Sequence, residues 1–347
     1  MEVLHLEKKD ILSFELEDLT AAFAEMGEKS FRAKQVYEWL HVKRVRSFDE
    51  MSNISLSLRT KLDEIFCINS INVVKKLESS MDNTVKYLYG LSDGNHIEAV
   101  LMEYKHGNSL CISTQVGCKM GCKFCASTIA GFKRHLLPSE MLLQIYEAER
   151  DSGRRVDSLV LMGIGEPLDN YDNTVKFLKI LSYETGKNMS LRHVSLSTCG
   201  LVNRIYELAE YKFGLTLSIS LHSVTNEKRS SIMPVNDRYN IEELLEACRY
   251  YIDKTGRRIS FEYAVIHGVN DSVEDARGLI KLLKGMNCHV NLIPVNEIKE
   301  RDFKADRKAL AEFADMLVKG GLNATVRRTL GADINAACGQ LRREYEI

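Results

Sequence analysis

The amino-acid sequence predicts an α/β fold: a partial (β/α)6 barrel behind a small, mostly helical N-terminal unit. Two observations carry this. Up to about residue 92 the apolar residues recur at helical spacing, and from about residue 97 short apolar runs alternate with amphipathic stretches. The third observation is size: at about 150 residues per domain, 347 residues suit two units or one large barrel with an extension. The expected division is 1–92 and 93–347. Hydrophobic residues at 45% and charged residues at 27% suit a globular chain with a buried core. Lys+Arg 47 against Asp+Glu 48 leaves a net charge of −1. That excludes a global polycation, while a local basic patch would still suffice for nucleic acid. No apolar run is long enough for a membrane span and the first ten residues are polar, so a cytoplasmic monomer without a membrane partner is expected.

In the N-terminal unit, Phe31, Val36, Trp39 and Leu40, then Leu56, Leu58, Leu62 and Ile65, mark helices, and a short strand pair is expected around 85–91. Between 29 and 46, Lys29, Arg32, Lys34, Lys43, Arg44 and Arg46 face a single acid, Glu38. This is either a solvated helix face or a phosphate-contacting surface. Further on, strands are expected at 110–114, 158–162, 193–197, 215–220, 259–266, 289–293 and 324–327. Helices are expected at 139–152, 171–183, 203–212, 241–254, 273–285 and 307–319. Ser272 and Asp275 have capping-box spacing at the start of one of them. Strand then helix, repeated about six times, implies a parallel sheet with right-handed crossovers.

Such folds build their sites where strand C-termini meet the following loops. Five strand ends here carry unusual polar groups. They are the cysteines after 110–114, Gly163-Ile164-Gly165-Glu166-Pro167, Ser197-Thr198-Cys199, Ser220-Leu221-His222 and Pro294-Val295-Asn296.

With only nine cysteines in 347 residues, chance seldom crowds three of them, Cys118, Cys122 and Cys125, into eight residues. In a reducing compartment such a cluster is a metal or redox candidate. Structural zinc would require a fourth ligand, and His135 is the nearby imidazole. Three thiolates in one loop could instead hold a four-iron cluster with one iron left open.

Gly117-Cys118-Lys119-Met120-Gly121-Cys122-Lys123-Phe124-Cys125 resembles the motif of radical S-adenosylmethionine enzymes. The resemblance narrows to the RlmN/Cfr family of RNA adenine methyltransferases. It rests on Cys111-Ile112-Ser113-Thr114-Gln115-Val116-Gly117-Cys118, Met162-Gly163-Ile164-Gly165-Glu166-Pro167-Leu168, Arg192-His193-Val194-Ser195-Leu196-Ser197-Thr198-Cys199-Gly200, Ser220-Leu221-His222 and Ile232-Met233-Pro234-Val235-Asn236. Two further segments complete it: residues 331–341, including Cys338, and Phe31-Arg32-Ala33-Lys34-Gln35.

That resemblance implies a radical S-adenosylmethionine barrel, one four-iron cluster per chain and S-adenosylmethionine as cofactor. It implies Cys118, Cys122 and Cys125 as cluster ligands, with Gly165, Glu166, Ser197, Ser220, Leu221, His222 and Asn296 around the cofactor. Cys338 would be methylated first, and a 5′-deoxyadenosyl radical would then take a hydrogen from that methyl group. The carbon radical would add to adenine, Glu98 would accept the ring proton, and Cys111 would release the product through a Cys111–Cys338 disulfide. Implied partners are 23S rRNA, tRNA and an electron donor such as flavodoxin.

The bland readings are a tight Gly-x-Gly turn, ordinary strand-end hydroxyls at Ser197 and Ser220, and a core histidine at His222. Cys67, Cys199, Cys248 and Cys288 read as small buried hydrophobes. Arg327, Arg328, Arg342 and Arg343 flank the Cys338 loop and are candidate phosphate contacts. Pro167 and Cys199 favour the carbon 2 enzyme, because Cfr-like carbon 8 enzymes tend to have Ala and Ile there. A zinc-bearing RNA-binding protein and a plain electron carrier are the rivals from other classes.

Overall fold

The computed structural model describes residues 8–342. A two-residue strand β1 (Lys9–Asp10) leads into α1 (Leu16–Glu25), α2 (Ser30–Glu38) and α3 (Leu56–Ile65). The unit closes with β2 (Phe66–Cys67), which pairs parallel with β1. Ser55 caps α3 by accepting the Leu58 N–H, the usual task of a hydroxyl before a helix. Leu19, Phe23, Val36, Tyr37, Leu58 and Leu62 turn inward at helical spacing. They join the same continuous core as the barrel residues, so the helices have no core of their own. The seam between them is also polar: Arg44 pairs with Glu149 at 2.7 Å and Arg46 with Glu147 at 2.7 Å.

Next comes an antiparallel meander, β3 (Asn72–Glu78), β4 (Val85–Gly90) and β5 (His96–Tyr104). It pairs through β5 with β6 (Gly107–Cys111), the first barrel strand. A small clasp, β7 (Gln115–Val116) against β8 (Arg134–His135), follows. The barrel then runs α4 (Pro138–Ser152), β9 (Ser158–Leu161), α5 (Tyr171–Ser182), β10 (Val194–Thr198), α6 (Val202–Glu210), β11 (Thr216–Ser220). After α7 (Asn226–Ile232) and α8 (Ile241–Thr255) come β12 (Ile259–Val265), α9 (Val273–Leu283), β13 (Cys288–Pro294), α10 (Arg307–Lys319) and β14 (Ala324–Val326). Strands β6 and β9 to β14 are parallel neighbours in chain order, with six helical crossovers, in one open ten-stranded sheet. Ser272 and Asp275 form the expected capping box.

Two features differ from expectation. The division at residue 92 falls in the turn between the hydrogen-bonded strands β4 and β5, so the sheet crosses it. The strand pair expected at 85–91 is thus part of the barrel sheet. Strand β5 also escapes a periodicity reading. From Ile97 to Met102 it is buried on both faces, so no polar alternation marks it.

Candidate active site

The cysteine loop spans the gap between β7 and β8. Gly117 opens it at φ +75°, and a Cβ there would lie 1.8 Å from the Gly131 carbonyl, so only glycine lets the loop close on itself. The Lys123 N–H donates to the Ile232 carbonyl at 2.9 Å, anchoring the loop to the end of α7. Cys118, Cys122 and Cys125 all line one cleft at the C-terminal ends of the barrel strands. Burial pushes the Cys118 thiol up to about 12 and raises Cys122 and Cys125 as well. Metal coordination reverses that tendency by deprotonating the thiol outright.

The cleft encloses about 960 Å³ including its open mouth. Gly165, Glu166, Ser197, Ser220, His222 and Asn296 line it beside the cysteines. Gly165 has φ +110°, and a Cβ would sit 2.6 Å from that of Gln115, which brings the backbone of the turn close against β7. The Glu166 carboxylate accepts the N–H groups of Leu168 at 2.9 Å and Cys199 at 2.7 Å, linking the loops after β9 and β10. Its burial raises its pKa against those bonds. His222, at φ 54°, accepts the Ala264 N–H on Nδ1 at 2.8 Å and packs edge-on against Phe124. Burial, with the nearby Arg229 charge, lowers its pKa to about 3, so the ring is neutral.

Cys338 lines this cleft and also a second one, whose other walls include Cys111, Val100, Met102 and Tyr104. The Asn296 amide donates to the Cys338 carbonyl at 3.0 Å, and the Ala126 N–H donates to the Gly339 carbonyl at 2.7 Å. The Cys338 segment is thereby tied to the cysteine loop itself. Cys111 is buried, and burial together with Cys338 pushes its thiol up to about 12. Both cysteines are free thiols.

Residues 9–68 match the family model "Ribosomal RNA large subunit methyltransferase N-terminal domain", and residues 112–283 match "Radical SAM superfamily". A relative from Lachnoclostridium phytofermentans is 54% identical over 98% of this chain and 96% of its own. One from Clostridium perfringens strain SM101 is 55% identical over 97% of each. Both bear the name "Probable dual-specificity RNA methyltransferase RlmN". This chain belongs to the RlmN family. A crystal structure of a radical SAM methyltransferase from Sphaerobacter thermophilus has the same fold, with a TM-score of 0.91 and 39% identity. It covers 97% of this chain and 100% of that one.

Membership in the RlmN family brings the radical S-adenosylmethionine barrel and, with it, an iron–sulfur cluster and S-adenosylmethionine. The donor set fits such a group: three thiols in a glycine-bounded loop, Cys118 buried and Cys122 and Cys125 half-buried, beside a cleft with room for a cofactor. Among the described residues, no three His, Cys, Asp or Glu side chains close tightly enough to hold a single metal ion. None of the helices among the described residues is long and apolar enough to cross a membrane.

Some expected residues stand elsewhere. The Leu221 side chain lies in the hydrophobic core, not in the cleft lining. Glu98 is fully buried and lines neither cleft; it pairs with Lys86 at 2.8 Å and accepts the Arg342 N–H at 2.7 Å. Arg327 lines both clefts, its charge reinforced chiefly by Cys338. Arg342 pairs with Glu300, Arg328 lines the second cleft, and Arg343 lies outside the described residues. Arg44, half-buried, and Arg46, still exposed, both pair with acids of α4.

Sequence reasoning missed Arg229. Fully buried, it donates to the carbonyls of Cys199, Ser220, Leu221 and Tyr239 and to the Asn236 side chain, fastening two strand ends together. Its one signal was proximity to the Ile232-Met233-Pro234-Val235-Asn236 motif.

Proposed function

We propose that this protein is a radical S-adenosylmethionine enzyme that methylates carbon 2 of an adenine, in 23S rRNA and in tRNA anticodon loops. One observation carries the reading: Cys338 stands in the wall between two clefts, with the clustered cysteines on one side and Cys111 on the other. An electron carrier or a zinc-bearing RNA-binding module would give that cysteine nothing to do. When bound, the four-iron cluster and S-adenosylmethionine supply radical chemistry, which the electron-poor carbon 2 requires in place of polar methyl transfer.

The residues of the chain do the rest. Cys118, Cys122 and Cys125 would hold the cluster through their thiolates. Gly165, Glu166, Ser197, Ser220, His222 and Asn296 orient the cofactor, while Leu221 contributes by packing its loop. Cys338 takes up a methyl group as a thioether and carries its carbon to the base. The Cys111 sulfur then gives up its proton and attacks that of Cys338, the carbon–sulfur bond breaks with its electron pair on the methylene carbon, that carbon takes up a proton to become the methyl group, and a disulfide remains for a reductant. For Glu98 to accept the ring proton, the Arg342 N–H has to move off its carboxylate. Pro167 and Cys199 favour the carbon 2 pose. A flavodoxin-type electron donor, a monomeric state and a cytoplasmic location complete the proposal.

Nucleoside mass spectrometry of a strain lacking the protein tests it. Loss of 2-methyladenosine from rRNA and tRNA is expected; loss of 8-methyladenosine would instead assign the carbon 8 reaction. In the purified protein, Ala at Cys118, Cys122 or Cys125 should abolish iron–sulfur absorbance and turnover. Cys338→Ala should keep the iron but accept no label from methyl-labelled cofactor. Cys111→Ala should accept label and then remain covalently attached to RNA. Multiple turnovers by that variant would remove Cys111 from the mechanism.

A further inference from the structure

The meander β3 to β5 adds three strands that a barrel does not need. What it touches gives it a task. Glu98, Val100, Met102 and Tyr104 alternate along one face of β5, and Lys86 on β4 pairs with Val100. Val100, Met102 and Tyr104 form a wall of the second cleft, opposite Ala336, Ala337, Cys338 and Leu341. Behind that wall, Lys86 Nζ lies 2.8 Å from Glu98 Oε1 and donates to the Asn335 carbonyl at 3.0 Å. The other Glu98 oxygen accepts the Arg342 N–H at 2.7 Å. One buried ion pair therefore holds both ends of the segment that carries Cys338. Asn335 adopts φ 50°, a left-handed conformation uncommon outside glycine, at the residue whose carbonyl meets Lys86.

The turn between β3 and β4 grips the start of the same segment. Asp82 accepts the Gly331 N–H at 3.0 Å, and Ser79 and Ser80 donate to the Asp333 carboxylate. The middle is held from the cofactor side by Asn296, Ala126 and Ser127. A buried ion pair rarely gains stability over an apolar pair of similar volume, so stability does not account for Lys86 and Glu98. Position does.

We propose that Lys86 is a positioning residue for the methyl-carrying step: with Glu98 it clamps residues 335 and 342 and so sets where the Cys338 sulfur stands between the two clefts. This rests on the reading of Cys338 as methyl acceptor. A displacement of about 1 Å at a reacting atom can cost about 100-fold in rate.

The test compares the iron-loaded wild type with Lys86→Met and with Lys86→Met/Glu98→Leu. The double variant replaces the pair by apolar side chains and keeps the fold if the single variant does not, since no buried charge is stranded. Two quantities are measured: hydrogen exchange across 331–342, and the rate at which methyl label from S-adenosylmethionine reaches Cys338. Glu98 has no proposed part in that first transfer, so its loss as a proton acceptor does not confound the rate. Exchange confined to 331–342 should rise at least about tenfold and the labelling rate should fall about 100-fold, with iron content and cofactor affinity unchanged. Wild-type exchange and labelling in a folded variant would overturn the clamp, and so would loss of cofactor affinity in step with the rate. A wild type that takes no label would overturn the acceptor reading instead, while the exchange comparison still tests the clamp.

Discussion

At the level of single residues, the site was legible where a residue type is unusual and hidden where it is common. Three cysteines in one loop ask for chemistry, and Cys118, Cys122 and Cys125 do share a cleft. Arg229 and Lys86 look like any other surface cation in the sequence, because nothing local reports that a side chain will be buried. His222 illustrates the intermediate case, and its environment makes a measurable prediction. Its pKa is lowered to about 3 by burial, as is that of His41, whose Nδ1 meets the Tyr146 hydroxyl. An unfolded histidine titrates near 6.5, so below that pH the unfolded chain takes up protons that the folded one refuses. Folding stability should therefore be undiminished by these groups at pH 7 and fall on acidification from about 6.5 toward 3. The slope is at most about 1.4 kcal/mol per pH unit for each histidine. Denaturant titrations between pH 7 and 5 would measure it, and His222→Asn, if folded, should flatten the decline. An unchanged slope would mean that His222 titrates alike in the folded and unfolded chain.

Among elements, the barrel strands and helices announced themselves because each is short, apolar and bounded, with helical or strand period intact. The expected helix at 241–254 is Ile241–Thr255, and the expected strand at 215–220 is Thr216–Ser220. The first barrel strand ends at Cys111 and not at 114, since beyond it the Thr114 N–H turns to the Ile164 carbonyl in the glycine turn. Helix α7 was missed because its seven residues are too few for a period to show. The basic stretch at 29–46 reads differently once folded. Arg44 and Arg46 share their charge with acids of α4, although Arg46 stays exposed, while Lys29, Lys34 and Lys43 are exposed, with Lys43 over the Trp39 ring at 3.6 Å. RNA binding through this face should therefore depend on the lysines. Changing Lys34 and Lys43 together to Ala should weaken RNA binding and lower the salt slope by about one per lost phosphate contact, leaving cofactor cleavage intact. Binding isotherms across a salt series would show it; an unchanged slope would leave α2 as a solvated face.

The whole molecule cannot be divided where the sequence pattern suggests. The helices give way to strands after α3, between residues 66 and 72 and not near 92; hydrogen bonding between β4 and β5 crosses the expected division, and the core is shared. Periodicity reports which face of an element is buried, not which neighbour buries it, so this was invisible beforehand. Two truncations separate the possibilities. A chain beginning at residue 93 loses β3 and β4, leaving β5 as a long edge with Ile97, Val100, Leu101 and Met102 uncovered and the Cys338 segment without its clamp. Such an edge is a template for aggregation, and this form should be insoluble. A chain beginning at residue 70 keeps the ten-stranded sheet and loses the helices, uncovering Tyr146 and the acids of α4. It should remain folded by circular dichroism, melt at a lower temperature than the full chain, and bind RNA more weakly. If the form starting at 93 were the soluble one, the meander would be dispensable to the barrel and the clamp on Cys338 would have to lie elsewhere.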